Sequence, residues 1–116
     1  MRRFSVKKVS GKFHKTAKGH LSYDMEELEA YQVFAIATSV QDKFGFKTGK
    51  LPGLDPDALY IELIRDSVKI LVGWDIWSGL FVMAMDESGD QAIQEIGQYL
   101  DETLNEIIAA KGTEKE

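Results

Sequence analysis

Two β-rich runs, residues 58–65 and 68–74, flank Asp66-Ser67, and one register sorts their side chains cleanly. With Asp66-Ser67 as the turn, Arg65 faces Val68, Leu63 faces Ile70, Ile61 faces Val72 and Leu59 faces Trp74. One face of the hairpin is then almost wholly apolar. The other carries Tyr60, Glu62, Ile64, Lys69, Leu71 and Gly73. A slip of one residue would scramble that separation, because side chains alternate along a strand. Asp55-Pro56 is a competing helix-start signal, and a single turn at 56–58 can precede the strands.

The remaining elements are arranged around this hairpin. Asp75–Gly79 reads as a turn and Leu80–Met85 as a third strand, apolar on both faces. With a loop of Ile76–Gly79, Phe81, Met83 and Met85 join the Trp74 face. Asp24 and Glu27 form a capping-box pattern, and helical spacing predicts a helix at about 25–44 closed by Gly45 at a left-handed C-terminal position. Ser88 with Gln91 repeats the capping pattern before a stripe of Ile93, Ile96, Leu100, Leu104 and Ile107, a helix ending at Gly112. Phe4, Val6, Phe13 and Ala17 around Ser10-Gly11 suggest a hairpin, with a mobile arm as the alternative; residues 45–57, rich in Gly and Pro, read as loop.

The sum is a single α+β domain over residues 1–116, in the order β(β)-α-β-β-β-α. Its antiparallel sheet has four to five strands, with two helices packed on one face. At 116 residues the chain is long enough to fold without metals or disulfides. It has no cysteine, which removes thiolate chemistry and cysteine-ligated metals. The N-terminus lacks an apolar signal-peptide core, and no apolar run approaches the roughly 20 residues of a spanning helix. These features read as cytoplasmic, with no membrane partner.

The net charge of −5 is unevenly spread. Residues 1–20 carry seven cations (Arg2, Arg3, Lys7, Lys8, Lys12, Lys15 and Lys18) and no acid. The other 96 residues hold seven cations against all 19 acids, a balance of −12. The basic segment, with Phe4, Phe13, His14 and His20 interleaved, can track a phosphate backbone and stack on bases. The favoured reading is that it lies against the protein's own acidic surface, since opposite charges within one chain attract at no translational cost.

The sequence carries no motif of a catalytic constellation, metal site or cofactor site. Gly45-Phe46-Lys47-Thr48-Gly49-Lys50 falls one residue short of a phosphate loop, and Leu51 stands where Ser or Thr would hold magnesium. Asp86, Ser88 and Asp90 begin like a calcium loop, but its sixth and twelfth positions are Gln91 and Gly97. His14 and His20 have no acid close in sequence and read as surface residues. Tyr60, Glu62 and Lys69 form a candidate polar cluster on the mixed face of the hairpin. Trp74-Asp75-Ile76-Trp77-Ser78-Gly79 is the most distinctive string, with Trp77, Ile76 and Asp75 as candidate partner-binding residues.

The leading expectation is a non-enzymatic interaction module, an acidic domain that binds a basic protein partner as inhibitor or immunity proteins do. The alternatives are nucleic-acid binding through Arg2, Arg3, Lys7, Lys8, Lys12 and Lys15, and a small enzyme whose carboxylates meet only in the fold. Sheet edges left uncovered would also allow a homodimer.

Overall fold

The structure, a computed structural model, describes residues 10–49, 53–55 and 57–114. The hairpin of residues 58–75 sits at its centre. Strand β5 (Ala58–Arg65) and strand β6 (Val68–Asp75) pair in the expected register, Arg65 to Val68 through Leu59 to Trp74. Asp66 takes φ 55 while Ser67 does not enter the left-handed region, the sign pattern of a type II′ turn. Such turns match the natural twist of a hairpin.

The other strands in chain order are β1 (Lys12–Lys15), β2 (Leu21–Met25), β3 (Lys47–Thr48), β4 (Gly53–Asp55) and β7 (Gly79–Ala84). The antiparallel sheet runs β1-β2-β7-β6-β5-β3, six strands across, and β4 lies alongside β5 as a second short piece of the same edge. The sheet is thus wider than the expected four to five strands. The extra pieces come from the segment read as loop, where Lys47–Thr48 and Gly53–Asp55 pair with opposite ends of β5. Two-residue strands carry no periodicity and are invisible to pattern. Of the helical turn expected at 56–58, Asp57 is in a turn and Ala58 already begins β5; Pro56 lies outside the described residues.

Two helices cover one face. Helix α1 (Val33–Phe44) lies against β5 and β6, and helix α2 (Asp90–Glu114) against β2 and β7; they also touch each other. Val33, Ile36, Ala37 and Val40 of α1 and Ile93, Ile96, Leu100 and Leu104 of α2 are buried against Leu63, Ile70, Val72, Leu80 and Val82 of the sheet. Arg65 closes the C-terminus of α1, donating to the Phe44 carbonyl at 2.9 Å while its guanidinium stacks 4.7 Å from the Phe46 ring centre. Gly45 ends α1 at φ 78, as expected.

Several boundaries differ from the sequence reading. The predicted helix at 25–44 begins only at Val33, after a short 3-10 turn at Ala30–Gln32, and Asp24 caps nothing. Residues 21–25 are instead strand β2, paired with β1 on one side and β7 on the other. Tertiary pairing outweighed the local capping signal there. The hairpin turn falls at 16–20, with Gly19 at φ 87, and Ser10-Gly11 is no turn; Phe4 and Val6 lie outside the described residues. Before α2, the carboxylate of Asp86, rather than Ser88, caps, accepting from the Ser88 amide at 2.9 Å. Helix α2 runs through Gly112 to Glu114.

The third strand faces the other way from expectation. Gly79 belongs to β7 and pairs with Asp75, which shortens the loop to Ile76–Ser78. That single residue flips the strand. Leu80, Val82 and Ala84 point into the core, while Phe81 and Met83 lie on the helix-free face, leaving Met85 outside the strand and exposed. Gly79 holds φ 75, and a Cβ there would collide with the Glu26 main chain.

Tyr23 joins sheet and helix. Its ring is fully buried, packs edge-on against Phe13 at 5.1 Å and abuts Gly97 of α2, and its hydroxyl donates to Asp101 one turn further on. Burial foremost, then the bond to Asp101, pushes this phenol above its ordinary value of 10.0.

Gly79→Ala should destabilise by at least about 1–3 kcal/mol in urea unfolding, through left-handed strain and the clash with Glu26. Tyr23 is held protonated by the fold, so its contribution is complete below its unfolded value and is lost as pH rises above it. Tyr23→Phe should therefore cost about 1 kcal/mol at neutral pH and show a shallower alkaline loss of stability than the parent chain, read from urea midpoints on either side of pH 10.0.

Candidate functional site

The loop between β6 and β7 is held rigid while its large side chains are left in solvent. The Asp75 carboxylate accepts the amides of Trp77 at 3.0 Å and Ser78 at 2.6 Å, and the Ile76 amide donates to the Asp57 carbonyl at 3.1 Å. Trp77 is nevertheless 78% exposed and Ile76 52% exposed, whereas Trp74 packs against the core. Below the loop lies a cleft of about 430 Å³ between Trp74, Trp77, Asp75, Leu28, Glu26 and Glu29. Tyr31 and Phe34, exposed in the 3-10 turn and the first turn of α1, follow along the same segment.

Among the described residues, those that line this cleft carry charge of one sign. No Lys or Arg occurs between Lys18 and Lys43, nor between Lys69 and Lys111. Both segments that build the cleft therefore contribute acids and no Lys or Arg. An exposed indole beside carboxylates suits a ligand that is both apolar and cationic.

A second hollow, of about 400 Å³, lies on the helix-free face. Strand pairing sets its floor in two transverse rows: Asp24, Phe81, Gly73 and Tyr60 in one, and Ser22, Met83 and Leu71 in the other. The Ser22 hydroxyl, in a residue 1% exposed, donates to Asp24 Oδ1 at 2.7 Å, and His14 Nδ1 meets Asp24 Oδ2 at 2.5 Å. The chain Ser22–Asp24–His14 fixes one nitrogen of the imidazole against a carboxylate. Ser22 bonds the carboxylate and not the imidazole, so this is not the arrangement of a serine nucleophile.

The candidates read from sequence meet different fates. Trp77, Ile76 and Asp75 form one loop at the mouth of the acidic cleft. Tyr60, Glu62 and Lys69 share the helix-free face, but only Tyr60 lines the hollow. Glu62 is 8% exposed and its Oε1 lies against Gly49, where a Cβ would crowd it; Lys69 is exposed, diagonal to it across the hairpin. Arg2, Arg3, Lys7 and Lys8 lie outside the described residues, while Lys12 and Lys15 are exposed on the edge strand β1.

His14 is not the isolated surface histidine of the sequence reading. Its acid lies across the β1–β2 hairpin, ten residues away in the chain. Recognising Leu21–Met25 as a strand would have exposed that pairing. The unbroken absence of Lys and Arg around the Trp77 loop was legible in the sequence and marks this end directly.

Comparison with protein-family models, curated proteins and solved structures found no match. Among the described residues, no helix is long and apolar enough to cross a membrane, and no group of three or more His, Asp or Glu could hold a metal ion.

Asp75→Ala removes the acceptor of two loop amides. It should cost about 1 kcal/mol or somewhat more in urea unfolding and speed hydrogen exchange at the Trp77 and Ser78 amides, whereas Asp75→Asn, which keeps the acceptor, should leave both close to the parent values.

Proposed function

We propose that the protein is a non-enzymatic interaction module that docks a basic protein partner on the Trp77 end of its sheet. The observation that carries this reading is the 78% exposure of Trp77 on a loop whose main chain is already fixed by Asp75. An exposed indole is costly to leave in water, and a preorganised loop loses little entropy on docking. Trp is strongly enriched among residues that dominate binding energy. The carboxylates of Glu26, Glu29 and Asp75 around it speed encounter with a positively charged surface and disfavour acidic competitors.

The test uses tagged parent chain and Trp77→Ala side by side, as bait in lysate of the source organism with nuclease present, followed by affinity measurement on the recovered protein. Trp77→Ala should weaken binding by about 2 kcal/mol, roughly thirtyfold, without lowering the melting temperature. The recovered partner should carry net positive charge at its contact surface and bind less tightly as salt is raised. A partner held equally well by Trp77→Ala, or one whose binding ignores salt, overturns the reading. Nucleic acid recovered only at low salt would move the function to the basic segment instead.

A further inference from the structure

We infer that the hollow on the helix-free face of the sheet is a separate binding site for a small organic cation, an ammonium group carried on an apolar body.

The shape comes from the sheet itself. Asp24, Phe81, Gly73 and Tyr60 lie on one transverse row across β2, β7, β6 and β5. Two strand intervals separate Phe81 from Tyr60, about 9.6 Å of backbone spacing. Their ring centres are only 6.3 Å apart, at 47°. The rings therefore lean toward each other over Gly73, where a Cβ would stand 2.7 Å from Tyr60 and 2.8 Å from Phe81. The result is a tilted aromatic shelf with Met83 and Leu71 along its side. Phe81 is 8% exposed although, among the described residues, no helix covers this face. The hollow is open to solvent on one side, and its volume of about 400 Å³ falls within the range of small-molecule sites.

The charge selects the ligand. Among the described residues, Asp24, paired with His14, and Asp75 line the hollow, and no Lys or Arg does. Lys12, the cross-strand neighbour of Asp24, lines a different hollow with Glu26 and Glu27. Asp24 is already positioned by Ser22 and His14, and Asp75 by the loop amides, so neither carboxylate has to be ordered when a ligand arrives. Aromatic faces attract a cation through their quadrupole and bury its apolar body. An anion would meet two carboxylates, and a neutral analogue would gain only the apolar part.

The test is a titration of the full chain with phenethylammonium, followed by amide chemical shifts, beside the neutral phenethyl alcohol and the anionic phenylacetate. Shifts should centre on Gly73, Phe81, Tyr60 and Asp24, with the alcohol weaker by about tenfold and phenylacetate silent. Asp24→Asn, which keeps the size and polar atoms of the side chain, should weaken the amine severalfold and narrow its advantage over the alcohol. Gly73→Ala, which spreads the rings, should weaken both ligands; if it fails to fold, Asp24→Asn carries the test alone. Trp77→Ala should leave the titration unchanged, which separates this site from the proposed docking surface. Equal binding of amine and alcohol, an amine affinity untouched by Asp24→Asn, loss of the signal in Trp77→Ala, or no shifts at millimolar amine would each overturn the inference.

Discussion

The register of the β5–β6–β7 meander is the constraint on which the rest of the molecule depends. The Asp66-Ser67 turn sets it at one end, and the Gly79 position sets it at the other. Together they put Leu63, Ile70, Val72, Leu80 and Val82 on one face. The two helices have an apolar floor only because those residues agree. Sliding β7 by one residue would bury Phe81 and Met83 under α2 and push Leu80 and Val82 out. The glycine at φ 75 prevents that slip, since its close approach to the Glu26 main chain leaves no room for another residue.

The N-terminal hairpin is locked to this meander from two sides. Strand β2 pairs with β7, so a segment early in the chain completes a sheet begun late in it. Tyr23 then reaches from the middle of β2 into the side of α2, past Gly97 to Asp101, and the β2 amide of Leu21 donates to Asp90 at the start of the same helix. Strand, meander and helix are thereby held in one arrangement. That arrangement places Glu26 and Glu29 beside the Trp77 loop, and Asp24 beside Phe81. Both candidate sites follow from where β2 docks.

Those sites lie on different surfaces yet share Asp75. Its carboxylate ties down the Trp77 loop and also borders the hollow on the helix-free face. A rigid loop tip with an exposed indole suits a macromolecular surface; a shelf of two leaning rings between carboxylates suits a small cation. The acidic character common to both reflects the long stretches of chain without Lys or Arg.

Local chemistry made much of the architecture legible. The apolar alternation around Asp66-Ser67 specified the central hairpin residue by residue, the 3.6-residue stripe specified α2, and Gly45 marked the end of α1, because each of these signals lies within a few residues of the structure it dictates. Trp77, Ile76 and Asp75 could be singled out for the same reason. What required the tertiary structure was every outcome decided by a distant partner. Residues 21–25 became a strand because β7 offered them a ladder, overriding a capping pattern at Asp24. Lys47–Thr48 and Gly53–Asp55 became strands only through β5. Phe81 faced the helix-free side because of one glycine, and His14 found its carboxylate across a hairpin. The sequence by itself determined an α+β chain with a central antiparallel hairpin and an acidic body. The fold alone decided which face each strand presents and which charges meet, since strand pairing joins residues far apart in the chain and a shift of one position reverses a whole face.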